Sequence, residues 1–517
     1  MDQILSTDLH GRVGYINLPK GKVLTPTLLP VVSPKENIFT PTELYNEYNF
    51  NLIITSAYLF YKRYGIPDGS LTIHDILKFP GNVMMDSGAY QILLYGDVDI
   101  APIKSLEIQA NLKTDIGVIL DVPISSEDSH SIAKKKTLRT LERVNDALDF
   151  INSHRDIIWT LPIQGGKNLD LLQFYIERIT SQNLHRYFGL FALGSVAPLM
   201  SQYDYLNLFS MIYHTRNLLP HNVPLHLFGA GHPMIFPFIV ALGCDMFDSA
   251  AYILFAKEGR YITSNATYKL ESLSEFPCNC PVCLKWTPKE LYNADKNTII
   301  ENLAKHNLYV SLLELKKIRL AINNGRLWEL LELKAKSHPH LYKAFNYIVK
   351  NSEKLFWEEL TPVTKFVGLK VFDDLSTFRP ELTRASRKIH EDYTPTKSKL
   401  TIYVISGYVS PIELLSKLEK KDKLSIKFME ADVALFIPFF GLVPLELAES
   451  YPFSQFVFSG VISKEKYNEI IQSSVDFVIQ KGYKLITIES LEKTELCAMI
   501  KHDLLKAFEK ANYTISN

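Results

Sequence analysis

The chain has 517 residues, more than one ordinary core can use, so two or three domains are expected. A hydrophobic fraction of 47% and a charged fraction of 22% are those of a soluble globular protein. With 56 basic and 56 acidic side chains there is no global field to draw the chain onto nucleic acid, so an RNA partner would have to be met by a local basic face.

The N-terminus, MDQILSTDLHGRVGYI, lacks a basic segment followed by an apolar run, so no signal peptide is expected. The first half then repeats one pattern: a short apolar or β-branched run, then Gly, Asp or Gln, then a helical segment. Eight such runs lie at 27–32, 52–56, 83–86, 117–121, 158–164, 187–194, 225–229 and 244–248, with helical periodicity over 132–151 and 169–179. Eight strands alternating with helices predict an α/β chain built as a (β/α)₈ TIM barrel, with an open doubly wound sheet as the rival. Asp86, Asp121, Gln164, Gly194 and Asp248 all sit where a run ends. An acid there can simply cap the next helix. In a barrel, however, strand ends form one rim, and the five would meet in one pocket.

The apolar stretches 225–247 and 433–447 are interrupted by histidine, proline, glycine or glutamate, so no membrane span is expected and the protein is placed in the cytoplasm. Five cysteines in so long a chain make no disulfide framework. Cys278, Cys280 and Cys283 form a C-x-C-x-x-C cluster, with His306 downstream. Three thiolates and an imidazole complete a closed tetrahedral shell, the pattern of one structural Zn²⁺ per chain. His306 is favoured as the fourth ligand because a helical segment from 308 follows it, with His338 and His340 as alternatives. The reading is a zinc-binding subdomain at 276–310 inserted in a catalytic domain of residues 1–350. Residues 308–348 read as helix with a break at Gly325. Between 285 and 350 basic residues outnumber acids, among them Lys305, Lys316, Lys317, Arg319, Arg326, Lys334 and Lys336. This stretch is either an RNA-facing surface or a solvated helix face. Residues 351–395, with Pro362, Pro380 and Pro395, read as a connector, and 396–517 as a separate α+β module.

Two acidic motifs carry the chemistry. In DSGAYQ, Asp86 ends a strand, Gly88 permits close backbone approach, and Tyr90 offers a flat ring suited to stacking a planar base beside a proton-moving carboxylate. In CDMFDSAAY, strand alternation puts Asp245 and Asp248 on opposite faces. Asp248, at the run's end and followed by small residues, is the one expected in the barrel mouth, and Asp245 is expected to make a structural hydrogen bond.

DSGAYQ, GVILDVP, IQGG, FALGS, HLFGAGHP, ALGCDMFDSAAY and the CxCxxC…HNL arrangement occur in this order. Together they resemble the tRNA-guanine transglycosylases, and GAGHP with FDSAAY is closest to the archaeal, archaeosine-forming branch. The similarity covers roughly residues 24–308, and RPEL in the C-terminal half resembles the archaeal extension. The resemblance implies removal of guanine from tRNA, at position 15 of the D-arm, and insertion of 7-cyano-7-deazaguanine (preQ0) through a covalent enzyme–ribose intermediate. It assigns Asp248 as nucleophile and Asp86 as acid/base, although both assignments of this pair exist in the family. Asp121 and Gln164 would read the base edge, Tyr90 would stack on it, and backbone around Ala192, Gly194 and Ser195 would touch its other edge. The family usually has glycine where this chain has Ser195. A serine fits there if φ stays negative, while crowding the site near the 7-substituent. Archaeal enzymes commonly end in a PUA domain, for which this chain has no room, so a separate PUA chain is the expected partner. A homodimer is the expected assembly, and the C-terminal module and the basic 285–350 stretch are expected to position tRNA. The competing readings are an archaeosine-synthase-like paralogue and a non-catalytic RNA-binding subunit. Retention of both aspartate motifs argues against them.

Overall fold

The structure, a computed structural model, describes residues 1–34, 38–89, 100–408 and 430–516. The chain divides into two compact units, Met1–Ser352 and Glu353–Asn517.

The first unit opens with an antiparallel sheet of β1 (Gln3–Asp8), β2 (Gly11–Leu18) and β3 (Gly21–Thr25). Eight parallel strands follow: β4 (Thr27–Pro30), β5 (Leu52–Ser56), β6 (Asn82–Asp86), β7 (Ile116–Val118), β8 (Ile158–Ile163), β9 (Leu190–Leu193), β10 (Leu225–Leu227) and β11 (Met246–Ser249). Each pairs in parallel with its sequence neighbour from β5 through to β11, and β11 returns to β4. The seam between β4 and β5 carries a parallel bridge, Val31 to Ile54, with Val32 N–H donating to Ile54 at 2.8 Å. The sheet therefore closes on itself as the expected barrel, not as an open doubly wound sheet.

Outer helices form where the apolar period changes from two to 3.6. The helix His130–Ser153 buries Ala133, Thr137, Thr140, Val144, Ala147 and Ile151, alternate steps of four and three that make one stripe. Inside, Leu29, Leu52, Ile54, Met84, Ile116, Val118, Leu190 and Met246 pack into one layer with Ile16, Leu18 and Val23 of the β2–β3 hairpin. The hairpin thus seals one end of the barrel with apolar side chains, and the polar residues gather at the carboxyl ends of the strands.

After β11 come the helix Ala251–Lys257 and the hairpin of β12 (Arg260–Ile262) and β13 (Thr267–Lys269), then the cysteine cluster. The long helix begins earlier than residue 308: it spans Lys296–Asn323, capped by Asp295, whose carboxylate accepts from Asn297 and Thr298 N–H at 3.0 Å. It breaks at Gly325, whose φ of 63° belongs to the left-handed region, and two further helices, Leu327–Ala335 and Pro339–Asn351, complete the unit. The basic stretch is partly spent internally. Lys334 is buried against Glu314 at 2.8 Å, and Arg319 donates to Pro26 O at 2.8 Å, whereas Lys316, Lys317, Arg326 and Lys336 are exposed.

The second unit holds β15 (Lys399–Val404), β16 (Asp432–Ile437), β17 (Gly441–Pro444), β19 (Leu485–Ser490) and β20 (Ile515–Ser516) in the order β17-β16-β15-β19-β20, with β14 (Leu369–Val371) and β18 (Phe456–Phe458) paired separately. Only the β16–β17 pair is antiparallel; the others run parallel. The segment PIELLSKLEK, whose apolar spacing predicts a helix, lies outside the described residues. The stretch read as a connector is instead part of this unit's core, to which it gives Leu369, Val371, Leu382 and Ile389. Glu381 of the RPEL segment is buried between Lys365 (2.6 Å) and Arg379 (3.2 Å). Burial alone would raise its pKa, but the two cations outweigh that and hold the carboxyl well below its usual range. No helix among the described residues is long and apolar enough to cross a membrane.

Candidate active site and metal centre

Each polar strand end is held by a local device. Asp86 ends β6, and Gly88, at φ 98°, turns its N–H back to donate to Asp86 Oδ1 at 3.1 Å. Burial pushes the Asp86 carboxyl up to about 7, and the nearby charges of Asp121 and Asp248 push the same way. Beyond β7, Asp121 is 4% exposed, and its backbone carbonyl accepts from Arg143 Nη1 at 2.9 Å, so the outer helix fixes the strand end. Gln164 follows β8 and donates from Nε2 to Asp121 Oδ2. Burial raises the pKa of Asp121, opposed by that bond.

On β11, Asp248 Oδ1 accepts two hydrogen bonds, from His226 Nε2 at 2.9 Å and from Gly229 N–H at 3.0 Å. His226 is fully buried in β10, and its Nδ1 has no hydrogen-bond partner among the described residues. Nε2 therefore carries a proton, because a carboxylate only accepts. The bonds fix one Asp248 oxygen and leave Oδ2 uncommitted among the described contacts. Asp245 faces the other way and receives a bidentate pair from Arg12, with Nε to Oδ1 at 2.9 Å, plus Leu225 N–H at 3.0 Å. Its expected structural part is what the geometry shows.

A cavity of about 1060 Å³ opens over these residues, lined by Asp86, Asp121, Gln164, Gly194, Ser195 and Asp248 among others. Two sequence candidates are not part of it as described. Ala192 is fully buried within β9 and does not line the cavity. Tyr90 lies outside the described residues. The condition under which a serine would fit without strain, a negative φ, is not met at Ser195, whose φ is 63°. His226 and the Ser195 hydroxyl were missed by sequence reasoning. A histidine inside the otherwise apolar β10, just before Gly229, was the available signal for the first.

The cysteine cluster lies beside the barrel. The ligand atoms of Cys278, Cys280, Cys283 and His306 all lie within 4.8 Å of one another. Cys280 and Cys283 Sγ are 3.5 Å apart, and His306 Nδ1 lies 3.4 and 3.3 Å from them. A tetrahedron around an ion with bonds of about 2.3 Å has edges of about 3.8 Å, so the four fit a closed four-coordinate metal. His306 Nε2 donates to Ile262 O at 2.8 Å, which turns Nδ1 toward the thiols. The Tyr261 ring lies flat on the imidazole, centroids 3.7 Å apart. The next residue, buried Asn307, accepts from Ile262 N–H at 2.8 Å and donates to Tyr252 O and Arg260 O, both at 3.1 Å. The helix that carries His306 thereby grips the helix that follows Asp248. His338 and His340 take no part in the cluster.

Two carboxylates facing one cavity from the ends of β6 and β11, one strongly held and one with a raised pKa, suit a nucleophile and a proton carrier around a bound base. Residues 8–340 match the family model described as TGT: queuine tRNA-ribosyltransferase. The chain is 38% identical over 495 residues to the tRNA-guanine(15) transglycosylase of Saccharolobus solfataricus, covering 95% of this chain and 96% of that protein. It is 36% identical to that of Sulfolobus acidocaldarius, with 95% of each covered. It is 34% identical to that of Methanococcus vannielii over 99% of this chain and 78% of the relative. The chain belongs to the queuine tRNA-ribosyltransferase family, the tRNA-guanine transglycosylases.

Proposed function

We propose that this transferase exchanges guanine at position 15 of the tRNA D-arm for 7-cyano-7-deazaguanine by double displacement. The observation that carries the reading is the pairing of Asp248, held at Oδ1 by His226 and Gly229, with Asp86, whose carboxyl is pushed up to about 7. Asp248 Oδ2 attacks C1′ of the ribose, and the electron pair of the C1′–N9 bond leaves with guanine. The proton guanine needs comes from Asp86, which near pH 7 is populated in both states. The ionised Asp86 then takes a proton from the incoming base, whose ring nitrogen attacks C1′ and releases Asp248. Asp121, Gln164 and the backbone at Gly194 and Ser195 orient the base, and Tyr90 is assigned the stacking face. Cys278, Cys280, Cys283 and His306 would hold zinc, which would supply folding energy to this subdomain. The second unit and the exposed lysines near 316 and 336 position tRNA. A homodimer and a separate PUA chain belong to the same reading.

The test is a denaturing gel of enzyme mixed with labelled tRNA. Wild type should carry tRNA through the gel, and Asp248→Asn should not. Asp86→Asn should form the adduct slower by about 10²–10⁴, the usual worth of general acid catalysis. An adduct from Asp248→Asn but never from Asp86→Asn reverses the two roles. A wild type with neither adduct nor guanine exchange on archaeal tRNA, alone or with a PUA protein, ends the proposal.

A further inference from the structure

Ser56 closes β5 and is the register partner of Asp86, which closes β6. Leu52 and Ile54 of β5 and Met84 of β6 pack into the inner layer of the barrel. Side chains alternate along a strand, so Ser56 and Asp86, each two residues further on, point to the same inner side at the mouth. Both line the cavity.

The Ser56 hydroxyl has no local duty. The residue stands at the N-cap of the helix Ala57–Tyr64 with φ −116° and ψ 125°, yet its side chain makes no capping bond. Thr40, Thr72 and Ser129, at the same position of three other helices, each accept from the N–H three residues on. Ser56 is 6% exposed, and its Oγ is buried without a hydrogen-bond partner among the described residues. Leaving a buried hydroxyl unsatisfied costs stability, so the group calls for a use outside the resting arrangement.

Asp86 supplies that use. The ionisable groups that face it are Asp121 beyond β7 and Asp248 on β11, both acids that disfavour its charge. The cations that line the cavity among the described residues, Arg260 and Lys269, bind Glu258 through its carboxylate and its backbone carbonyl, and burial keeps His232 neutral. On the flanking helices, Lys62 and Arg63 of Ala57–Tyr64 and Lys104 and Glu107 of Pro102–Asn111 do not line the cavity. Ionised Asp86 thus depends on hydrogen bonds. Neighbouring strands lie about 4.8 Å apart, which puts the Ser56 hydroxyl one side-chain rotation from the carboxylate.

We propose that Ser56 is a positioning residue for Asp86, its hydroxyl turning to donate to the carboxylate formed when Asp86 gives its proton to the leaving base. The hydroxyl can also accept from the neutral acid. A bond to an ion is about twice as strong, so the net effect favours the charged form. It keeps the carboxylate in place to take a proton from the incoming base. The inference rests on the reading of Asp86 as acid and base of the exchange.

The experiment follows the two half-reactions separately on the full chain, with labelled tRNA and guanine, by quenching into denaturing gels across a pH series. Adduct formation uses protonated Asp86 and should fall as pH rises through its pKa. Discharge of the adduct by added guanine uses the ionised form and should rise there. In Ser56→Ala both limbs should move up by about one pH unit, and discharge near pH 7 should slow by up to about tenfold. Ser56→Thr, which keeps the hydroxyl, should hold the wild-type limbs. A merely structural role would slow both half-reactions at every pH and leave the limbs in place. Limbs that do not move in Ser56→Ala overturn the proposal while leaving the exchange reading standing. Ser56→Ala breaks no hydrogen bond of the resting protein and should fold. If it does not, Ser56→Cys, a weak donor of similar size, should show the same upward shift, and unmoved limbs there overturn the proposal. Wild-type limbs that persist in Asp86→Asn end both this inference and the role given to Asp86.

Discussion

Asp86 and Asp248 share a cavity but are treated differently by their surroundings, and the difference is measurable in pH. Asp86 receives backbone hydrogen bonds from Gly88 and Ser87, but desolvation outweighs them, so its carboxyl stands at about 7 against an ordinary 3.8. A carboxyl raised on folding lends its full stability below the unfolded value and loses it as pH rises through the folded one. The unliganded wild type should therefore weaken relative to Asp86→Asn between about pH 4 and pH 7, and the gap should be flat above. Its size should be of the order of 2–4 kcal/mol, less than the full shift because the side chain keeps some contact with water. Parallel urea titrations of the two proteins at pH 4, 6 and 8 check this, and a gap that does not grow with pH refutes the raised value. At this scale the sequence shows which polar residues end strands, hence Asp86, Asp121, Gln164 and Asp248. It does not show what approaches from a neighbouring strand. His226 reaches Asp248 from the adjacent β10, and Ser195 reaches Gln164 across β8 and β9, contacts that no spacing along one strand encodes.

The barrel strands were legible because each ends in a residue that punctuates it, and the helices because their apolar stripes repeat. The limits of legibility lie in short elements. The long helix starts at Lys296, before its apolar stripe becomes regular, because the Asp295 cap sets the start. Residues 353–395 look like a linker because β14 has only three residues and finds its partner β18 far along the chain. The metal centre is an element-scale device of the same kind: short pieces around 276–295 have little core of their own. Closed-shell zinc contributes apparent binding free energies of about 10–16 kcal/mol in small modules, so a zinc ion held by these four residues would substitute for that core. One zinc per chain should be found by metal analysis. Cys280→Ala should release it and expose 276–310 to protease while guanine binding in the barrel persists more weakly, since Asn307 no longer steadies the helix after Asp248. Active, soluble protein without metal contradicts this.

For the whole molecule, the boundary at 352/353 gives a sharper cut than one near 395. A chain ending at Ser352 keeps every described lining residue of the cavity and the entire cysteine cluster, because all precede residue 353. It should bind free 7-deazaguanines as the full chain does, and lose tRNA affinity by about tenfold or more as phosphate contacts are removed. Filter binding with tRNA beside calorimetry with the base separates the two, and undiminished tRNA binding removes the second unit from RNA recognition. A cut at 395 would instead strand Leu369, Val371 and Leu382 without their partners, and such a protein should aggregate. The apolar seal of Ile16, Leu18 and Val23 makes the barrel a vessel with a floor. Whatever leaves it departs by the mouth through which its replacement arrives. Outgoing guanine and incoming base then take turns in one compartment. Their kinetics should follow a ping-pong pattern, with free guanine competing directly against its successor.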